Sequence, residues 1–309
     1  MKIIFFGSDD FAATHLEALI RSEHKVVGCV TQPDKPKGRG MKDLSLPVKD
    51  CARDNSIRVL QPADLNDDAF LAALRDLDAE MFVVIAYGRI LSSEILAIPK
   101  KYAVNVHGSL LPKYRGAAPI NWAIINGDVK TGVSIIKMNK KMDAGEVIAM
   151  EELPIGANDT SSFVRAEMAI LGSDLLLRVL KSVEKQAETC VQQNEKEVTF
   201  APKLTRELGK IDWSKSAIAI HNLVRGLLPW PGAYTEYQAK TLKIISTQVI
   251  EHDTRALPGE VVEVGSQGIV IATGKGVILV KEVHLQSSKP MDARSFTAGH
   301  KIEPGFRFG

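Results

Sequence analysis

The stretch Met1-Lys2-Ile3-Ile4-Phe5-Phe6-Gly7-Ser8-Asp9-Asp10-Phe11 decides the fold. Lys2 to Phe6 is an apolar run with the length of a buried strand, and Gly7 to Asp10 is polar and turn-forming. From Phe11 onward apolar residues recur at helical spacing through Leu16, Leu19 and Ile20. A second apolar run, Val26 to Val30, follows one helix later. Asp67 to Leu77 then reads as a helix before the strand Met81 to Ala86, and Ser92 to Ile98 as a helix before the strand Ala103 to Val106. This alternation predicts an α/β chain with a mainly parallel sheet and helices on its faces. Such sheets place ligands at the carboxyl ends of their strands, so chemistry is expected in the loops after Phe6, Ala86 and Val106.

A long helical pattern runs from Ser161 towards Lys185, and the polar stretch after Glu184 reads as a linker. The chain is therefore divided into a first domain over 1–189, a linker over 190–206 and a second domain over 207–309. In the second domain one amphipathic helix, Ser216 to Leu227, precedes short β-rich runs at Gly259–Val264, Gly268–Ala272 and Val277–Leu285. These turn-separated runs suit a small antiparallel barrel or a sandwich.

Composition narrows the function. At ~150 residues per domain, 309 residues accommodate two domains. A formal charge of +2 is too small for indiscriminate polyanion binding. Twelve Lys or Arg against ten Asp or Glu fall from Glu207 onward, so the whole excess lies in the second domain. Three cysteines without close pairing, no signal-peptide pattern and no long apolar run predict a cytoplasmic protein without a membrane span. Walker A and Gly-x-Ser-x-Gly motifs are absent, and Gly38-Arg39-Gly40 and Gly274-Lys275-Gly276 lack the third glycine of a dinucleotide fingerprint. The seven histidines and three cysteines show no zinc-ligand spacing, so metal-free chemistry is expected.

The segment Val104-Asn105-Val106-His107-Gly108-Ser109-Leu110-Leu111-Pro112 begins as a strand and breaks at Gly108. Strand alternation puts Asn105 and His107 on one face. An amide that donates to a developing oxyanion and an imidazole that moves a proton are an acyl-transfer pair. A histidine satisfied by a backbone carbonyl at a strand end is the alternative reading of the same residue.

Asn105-Val106-His107-Gly108-Ser109-Leu110-Leu111-Pro112, followed by Tyr114-Arg115-Gly116-Ala117-Ala118-Pro119-Ile120, resembles the active-site stretch of the folate-dependent formyltransferases. The resemblance implies a catalytic Asn, His and Asp. Asp143, in the turn Met142-Asp143-Ala144-Gly145-Glu146 after the strand Thr131 to Met138, matches the third. It implies a Rossmann-like formyltransferase domain, 10-formyltetrahydrofolate as formyl donor and no metal. Ser109, Leu110, Leu111 and Pro112 match residues that line the folate site, and Ala86, Tyr87, Gly88, Ile90 and Leu91 match the stretch beside the pterin ring.

Two further features resemble the family members whose acceptor is the amine of initiator methionyl-tRNA. The insert over 32–49 carries Lys35, Lys37, Arg39, Lys42 and Lys49 against Asp34 and Asp43, a local net of +3. A basic loop punctuated by glycine and proline reaches phosphates without reading bases. By resemblance Lys35, Lys37, Arg39 and Lys42 contact the tRNA, with Arg39 foremost. The second domain matches an oligonucleotide-binding-fold (OB-like) β-barrel that helps to hold the tRNA. Trp230, between prolines, is expected as a packed aromatic rather than a base-stacking one. A monomer is expected. A sugar-nucleotide or ribonucleotide amine as acceptor, or a non-catalytic tRNA-binding protein, are the alternatives. Asp9 stands where the family commonly has proline.

Overall fold

Ile3, Ile4, Phe5 and Phe6 are wholly buried, as expected of a central strand covered on both faces. In the computed structural model, which describes residues 1–34, 36, 37, 42, 43, 45–252 and 254–309, this strand lies within a seven-stranded sheet. Across that sheet the order is Val147–Pro154, Lys130–Lys137, Tyr102–His107, Met81–Val84, Lys2–Phe6, Lys25–Val30 and Val59–Leu60. The last five strands pair in parallel, with Ile3 opposite both Val26 and Met81. Lys130–Lys137 runs antiparallel to Tyr102–His107, placing Ile136 opposite Asn105 and Ser134 opposite His107. The sheet is mainly parallel; its antiparallel strand ends beside Ala103, whose carbonyl accepts from Met138 N–H, and the turn that follows folds back to Asn105 and His107.

Local chemistry accounts for the helix boundaries. Asp9 caps the helix Asp10–Ile20, its carboxylate accepting from Ala12 N–H at 3.0 Å, and it pairs with Arg165. In place of a proline, the first loop thus gains a cap and an ion pair. One face of the sheet buries Ile4, Phe6, Val30, Leu74, Phe82, Val84 and Tyr87 in a single cluster, each large side chain contributing about 1.5–3 kcal/mol.

The chain forms two compact units whose boundaries interleave along the sequence. The first holds Met1–Pro119, Thr131–Pro154 and Arg165–Ala201, and the second holds Ile120–Lys130, Ile155–Val164 and Pro202–Gly309. A single division within 190–206 leaves out the two early segments. They join the second unit through polar contacts that composition does not reveal. Within that unit the buried Arg225 donates to Gly156 O and Asp159 O, His221 Nε2 lies 3.0 Å from Ala157 O, and Asn121 Nδ2 donates to Gly226 O.

The second unit's main sheet is antiparallel, in the order Ala233–Tyr237, Lys240–Ile250, Val277–Leu285, Gly268–Ala272 and Val261–Gly265, with Met291–Asp292 added to Val277–Leu285. The helix Ala217–Gly226, capped by Ser216, packs on a core that includes Trp213, Tyr237, Phe296 and Phe308. Trp230 corrects its sequence reading: it is 57% exposed. It lies outside the helix, in a tight turn closed by Gly232 N–H donating to Leu227 O. Among the described residues no helix is long and apolar enough to cross a membrane.

His15 is wholly buried in the first helix, 2.8 Å from Phe11 O through Nδ1, with no hydrogen-bond partner at Nε2. Burial is the main cause that lowers its pKa to about 4, with the charge of Arg165 adding to it against the bond to Phe11 O. Between pH 6.5 and 4 the unfolded chain therefore binds this proton and the folded chain does not, so stability falls as pH falls through that window. Urea denaturation of His15→Gln alongside wild type is expected to show a shallower loss, the difference between pH 7 and pH 4 being on the order of 3 kcal/mol.

Candidate active site

Strand alternation puts Asn105 and His107 on the same face of Tyr102–His107, and the turn after Lys137 delivers Asp143 to both. Asn105 Nδ2 donates to Asp143 Oδ1 at 3.4 Å, and Gly116 N–H donates to Asp143 Oδ2 at 2.8 Å. His107 Nδ1 lies 3.7 Å from Asp143 Oδ1, and His107 Nε2 lies 2.9 Å from Tyr114 O. Because a carbonyl only accepts, this geometry assigns the proton of neutral His107 to Nε2 and leaves the Nδ1 lone pair facing the carboxylate side. The backbone-carbonyl reading of His107 is met at Nε2, and Nδ1 is the nitrogen nearer Asp143.

Asp143 sits in the left-handed region with φ of 51°, a conformation that costs a non-glycine residue on the order of 1 kcal/mol or more. The turn closes because Gly145 passes against the strand: a Cβ there would lie 1.8 Å from Lys137 O. Tyr114, whose carbonyl holds His107, is also left-handed with φ of 61°. These two strained residues flank the histidine, and each is held by a neighbouring segment.

The loop Ser109–Pro112 is built from backbone outward. Ser134 Oγ donates to Ser109 O at 2.6 Å and accepts from Leu111 N–H at 3.0 Å, and Ser109 Oγ donates to Lys113 O. Ser109 and Leu111 are buried, Leu111 against Ile136 and Val147, whereas Leu110 and Pro112 are half exposed. The second expected folate stretch divides in the same way. Tyr87 and Leu91 belong to the sheet core, Tyr87 edge-on to Phe6, while Ala86, Gly88 and Ile90 are exposed, Ile90 at 80%. Gly88, with φ of 76°, lies where a Cβ would meet Gln32 Nε2 at 2.5 Å, and Gln32 Nε2 donates to Tyr87 O.

Of the basic insert, Lys35 and Arg39 lie outside the described residues. Lys37 and Lys42 belong to a two-stranded ladder, Pro36–Lys37 against Lys42–Asp43. Lys49, counted with the insert's charge, is buried and paired with Asp34, whose carboxyl is held below its ordinary range by that bond and one from Gln61. One of the five cations is thus spent at the insert's base.

Sequence reasoning misses Gln193. Its Nε2 donates to Asp143 O at 2.8 Å and to Gly145 O at 2.7 Å, while its Oε1 accepts from Arg115 Nε and NH2. Arg115 is buried and also pairs with Glu195 at 2.9 Å. A glutamine within a polar linker carries no local signal of this contact. Among the described residues no group of three or more His, Cys, Asp or Glu is placed to hold a metal ion.

Comparison with known proteins defines the class. Residues 1–180 match the formyl transferase family and residues 203–301 match the family described as formyl transferase, C-terminal domain. This chain belongs to the formyl transferase family. Relatives named methionyl-tRNA formyltransferase match it end to end. The protein of that name from Alkaliphilus oremlandii is 44% identical over 99% of this chain and 98% of its own, and that from Desulforamulus reducens is 45% identical over 100% and 98%. Among solved structures, an N-formyltransferase from Helicobacter canadensis in complex with folinic acid and dTDP-3-aminofucose shares the fold. Its TM-score is 0.69 and its identity 20%, over 91% of this chain and 98% of that one. HypX from Aquifex aeolicus in complex with tetrahydrofolic acid gives a TM-score of 0.63 at 18% identity, over 96% of this chain, which spans 47% of HypX.

Gly145→Ala is expected to destabilise the chain by about 1–3 kcal/mol in denaturant titration, because Lys137 O occupies the position of the new Cβ. Gly299→Ala, where no atom lies within 4 Å of the added Cβ, serves as its control, with a change within about 0.5 kcal/mol.

Proposed function

We propose that this chain transfers the formyl group of 10-formyltetrahydrofolate to the α-amine of initiator methionyl-tRNA, giving N-formylmethionyl-tRNA for translation initiation. The observation that carries the choice of acceptor is the end-to-end similarity to relatives named for that reaction, at 44% and 45% identity across both units. The chemistry is supported by the convergence of Asn105, His107 and Asp143 at one strand end.

A free α-amine has a pKa of ~7.7–8.0, and ester linkage to tRNA lowers it, so neutral amine is present at physiological pH without a strong base. Its nitrogen attacks the formyl carbon, and the carbonyl oxygen becomes an oxyanion to which Asn105 Nδ2 donates. His107 Nδ1, the nitrogen not engaged by Tyr114 O, accepts the proton released by the amine. The Asp143 carboxylate beside it balances the imidazolium charge. The proton then passes to the folate nitrogen as the bond between that nitrogen and the formyl carbon breaks. Leu110 and Pro112, with Ala86, Gly88 and Ile90, offer the accessible surface for the folate. Tyr87, Leu91, Ser109 and Leu111 support it from beneath. Lys35, Lys37, Arg39 and Lys42 serve the tRNA phosphates.

Transfer of labelled formyl to methionyl initiator tRNA tests the reading, with uncharged tRNA as the blank. Asn105→Ala is expected to lower kcat by ~10² to 10³ while KM changes little, and turnover near that of wild type would remove the oxyanion role. Arg39→Ala is expected to raise KM for the tRNA and to weaken its salt dependence, with folate binding unchanged by fluorescence titration. Equal loss of both would point to misfolding.

A further inference from the structure

Residues 191–201 run beside the site as a strap, and every few residues it bonds to the segments that carry the catalytic groups. Val191 exchanges N–H···O bonds of 2.8 Å with Val147. Thr199 Oγ1 accepts from Tyr114 N–H and Thr199 O accepts from Arg115 N–H, each at 2.9 Å. Phe200 and Ala201 pair in parallel with Arg115 and Gly116. The strap therefore grips the segment that presents Tyr114 O to His107 and Gly116 N–H to Asp143.

At its centre is Gln193. A glutamine amide has two N–H donors and one carbonyl acceptor, and here both kinds of group are engaged. The amide nitrogen donates to the carbonyls of Asp143 and Gly145, on either side of one peptide unit of the turn, and the amide oxygen meets the buried Arg115 guanidinium. The grip falls on the residue that adopts φ of 51° and whose carboxylate faces His107. Within the turn, Ala144 N–H reaches Lys141 O at 3.4 Å and Asn139 Nδ2 donates to Ala144 O, so the carbonyls of Asp143 and Gly145 look outward to Gln193.

We propose that Gln193 is a positioning residue for formyl transfer: it clamps the Asp143–Gly145 turn so that the Asp143 carboxylate stays against Gly116 N–H, Asn105 and His107. This rests on the role proposed above for Asp143. Arg115 is part of the device, because its guanidinium fixes the rotamer of the amide and thereby aims both donors at the turn. A misplacement of about 1 Å in a catalytic group lowers turnover by up to ~10²-fold.

Gln193→Glu separates the clamp from the strap. It keeps the size of the side chain and an acceptor for Arg115, but replaces the two donors with an oxygen that repels the turn carbonyls. We expect kcat to fall about 10- to 100-fold, with KM for both substrates within about twofold and the unfolding midpoint within a few degrees of wild type. Gln193→Asn, too short to reach both carbonyls, should fall in the same direction, whereas Gln192→Ala, whose parent amide meets Glu146, should not. On an Asp143→Asn background in single-turnover assays the Gln193→Glu loss should shrink to less than about threefold, because the two residues act as one unit. Amide exchange provides a readout independent of the reaction: Gly116 N–H, covered by Asp143 Oδ2, should exchange faster by about tenfold or more in Gln193→Glu. Unchanged kcat with unchanged Gly116 exchange, or a loss that persists in full on the Asp143→Asn background, would overturn the proposal. A wild-type chain that transfers no formyl group would instead sink the reaction assigned above, while Gly116 exchange would still decide whether Gln193 holds the turn.

Discussion

The carboxylate of Asp143, held between Gly116 N–H and Asn105 Nδ2 and facing His107, is the contact on which the site's geometry depends. It joins three segments distant in sequence, and none is self-sufficient. The turn that carries Asp143 needs a left-handed residue and a glycine pressed against Lys137 O. The strand before it, Lys130–Lys137, runs antiparallel to Tyr102–His107 and ends beside Ala103, so the turn folds back along that strand to reach Asn105 and His107. That fold-back of the turn sets a carboxylate facing a histidine.

Around that contact, strain is offset by hydrogen bonds from outside each turn. Tyr114 adopts a left-handed conformation and is tied by its N–H to Thr199, and its carbonyl in turn sets which nitrogen of His107 is free. Residues in sparsely populated backbone regions persist only where their surroundings over-determine them. Here the surroundings are a strap drawn from the end of the first unit, which makes residues 191–201 part of the site's architecture. The proton assignment of His107 follows from a backbone carbonyl rather than from the carboxylate, so Tyr114 orients the ring.

Charge is handled locally. The chain's net of +2 gives no field able to gather a polyanion, and the basic insert is correspondingly concentrated. One of its cations, Lys49, is withdrawn into a buried pair with Asp34 at the insert's base. A paired lysine at a loop's root contributes anchorage. In the second unit the buried Arg225 is satisfied by backbone carbonyls and Asn222 and is likewise structural.

What the sequence determined by itself was whatever periodicity and short-range spacing encode. The strand–loop–helix opening at Lys2–Ile20 was legible, as was the strand Tyr102–His107 with Asn105 and His107 on one face. The second unit's strands Gly268–Ala272 and Val277–Leu285 were legible for the same reason, since apolar alternation is a property of neighbouring residues. Local pattern did not distinguish the exposed Ala86, Gly88 and Ile90 from the buried Tyr87 and Leu91, because that stretch leaves its strand at Val84 and alternation no longer applies. Nor did it show Trp230 at the surface, Lys49 in its ion pair, or the segments 120–130 and 155–164 within the second unit. The tertiary structure alone decided the partners of Asp143 and the grip of Gln193, 50 residues away along the chain. Hydrogen bonds between distant segments depend on where the fold brings the backbone, and no spacing within the sequence records that.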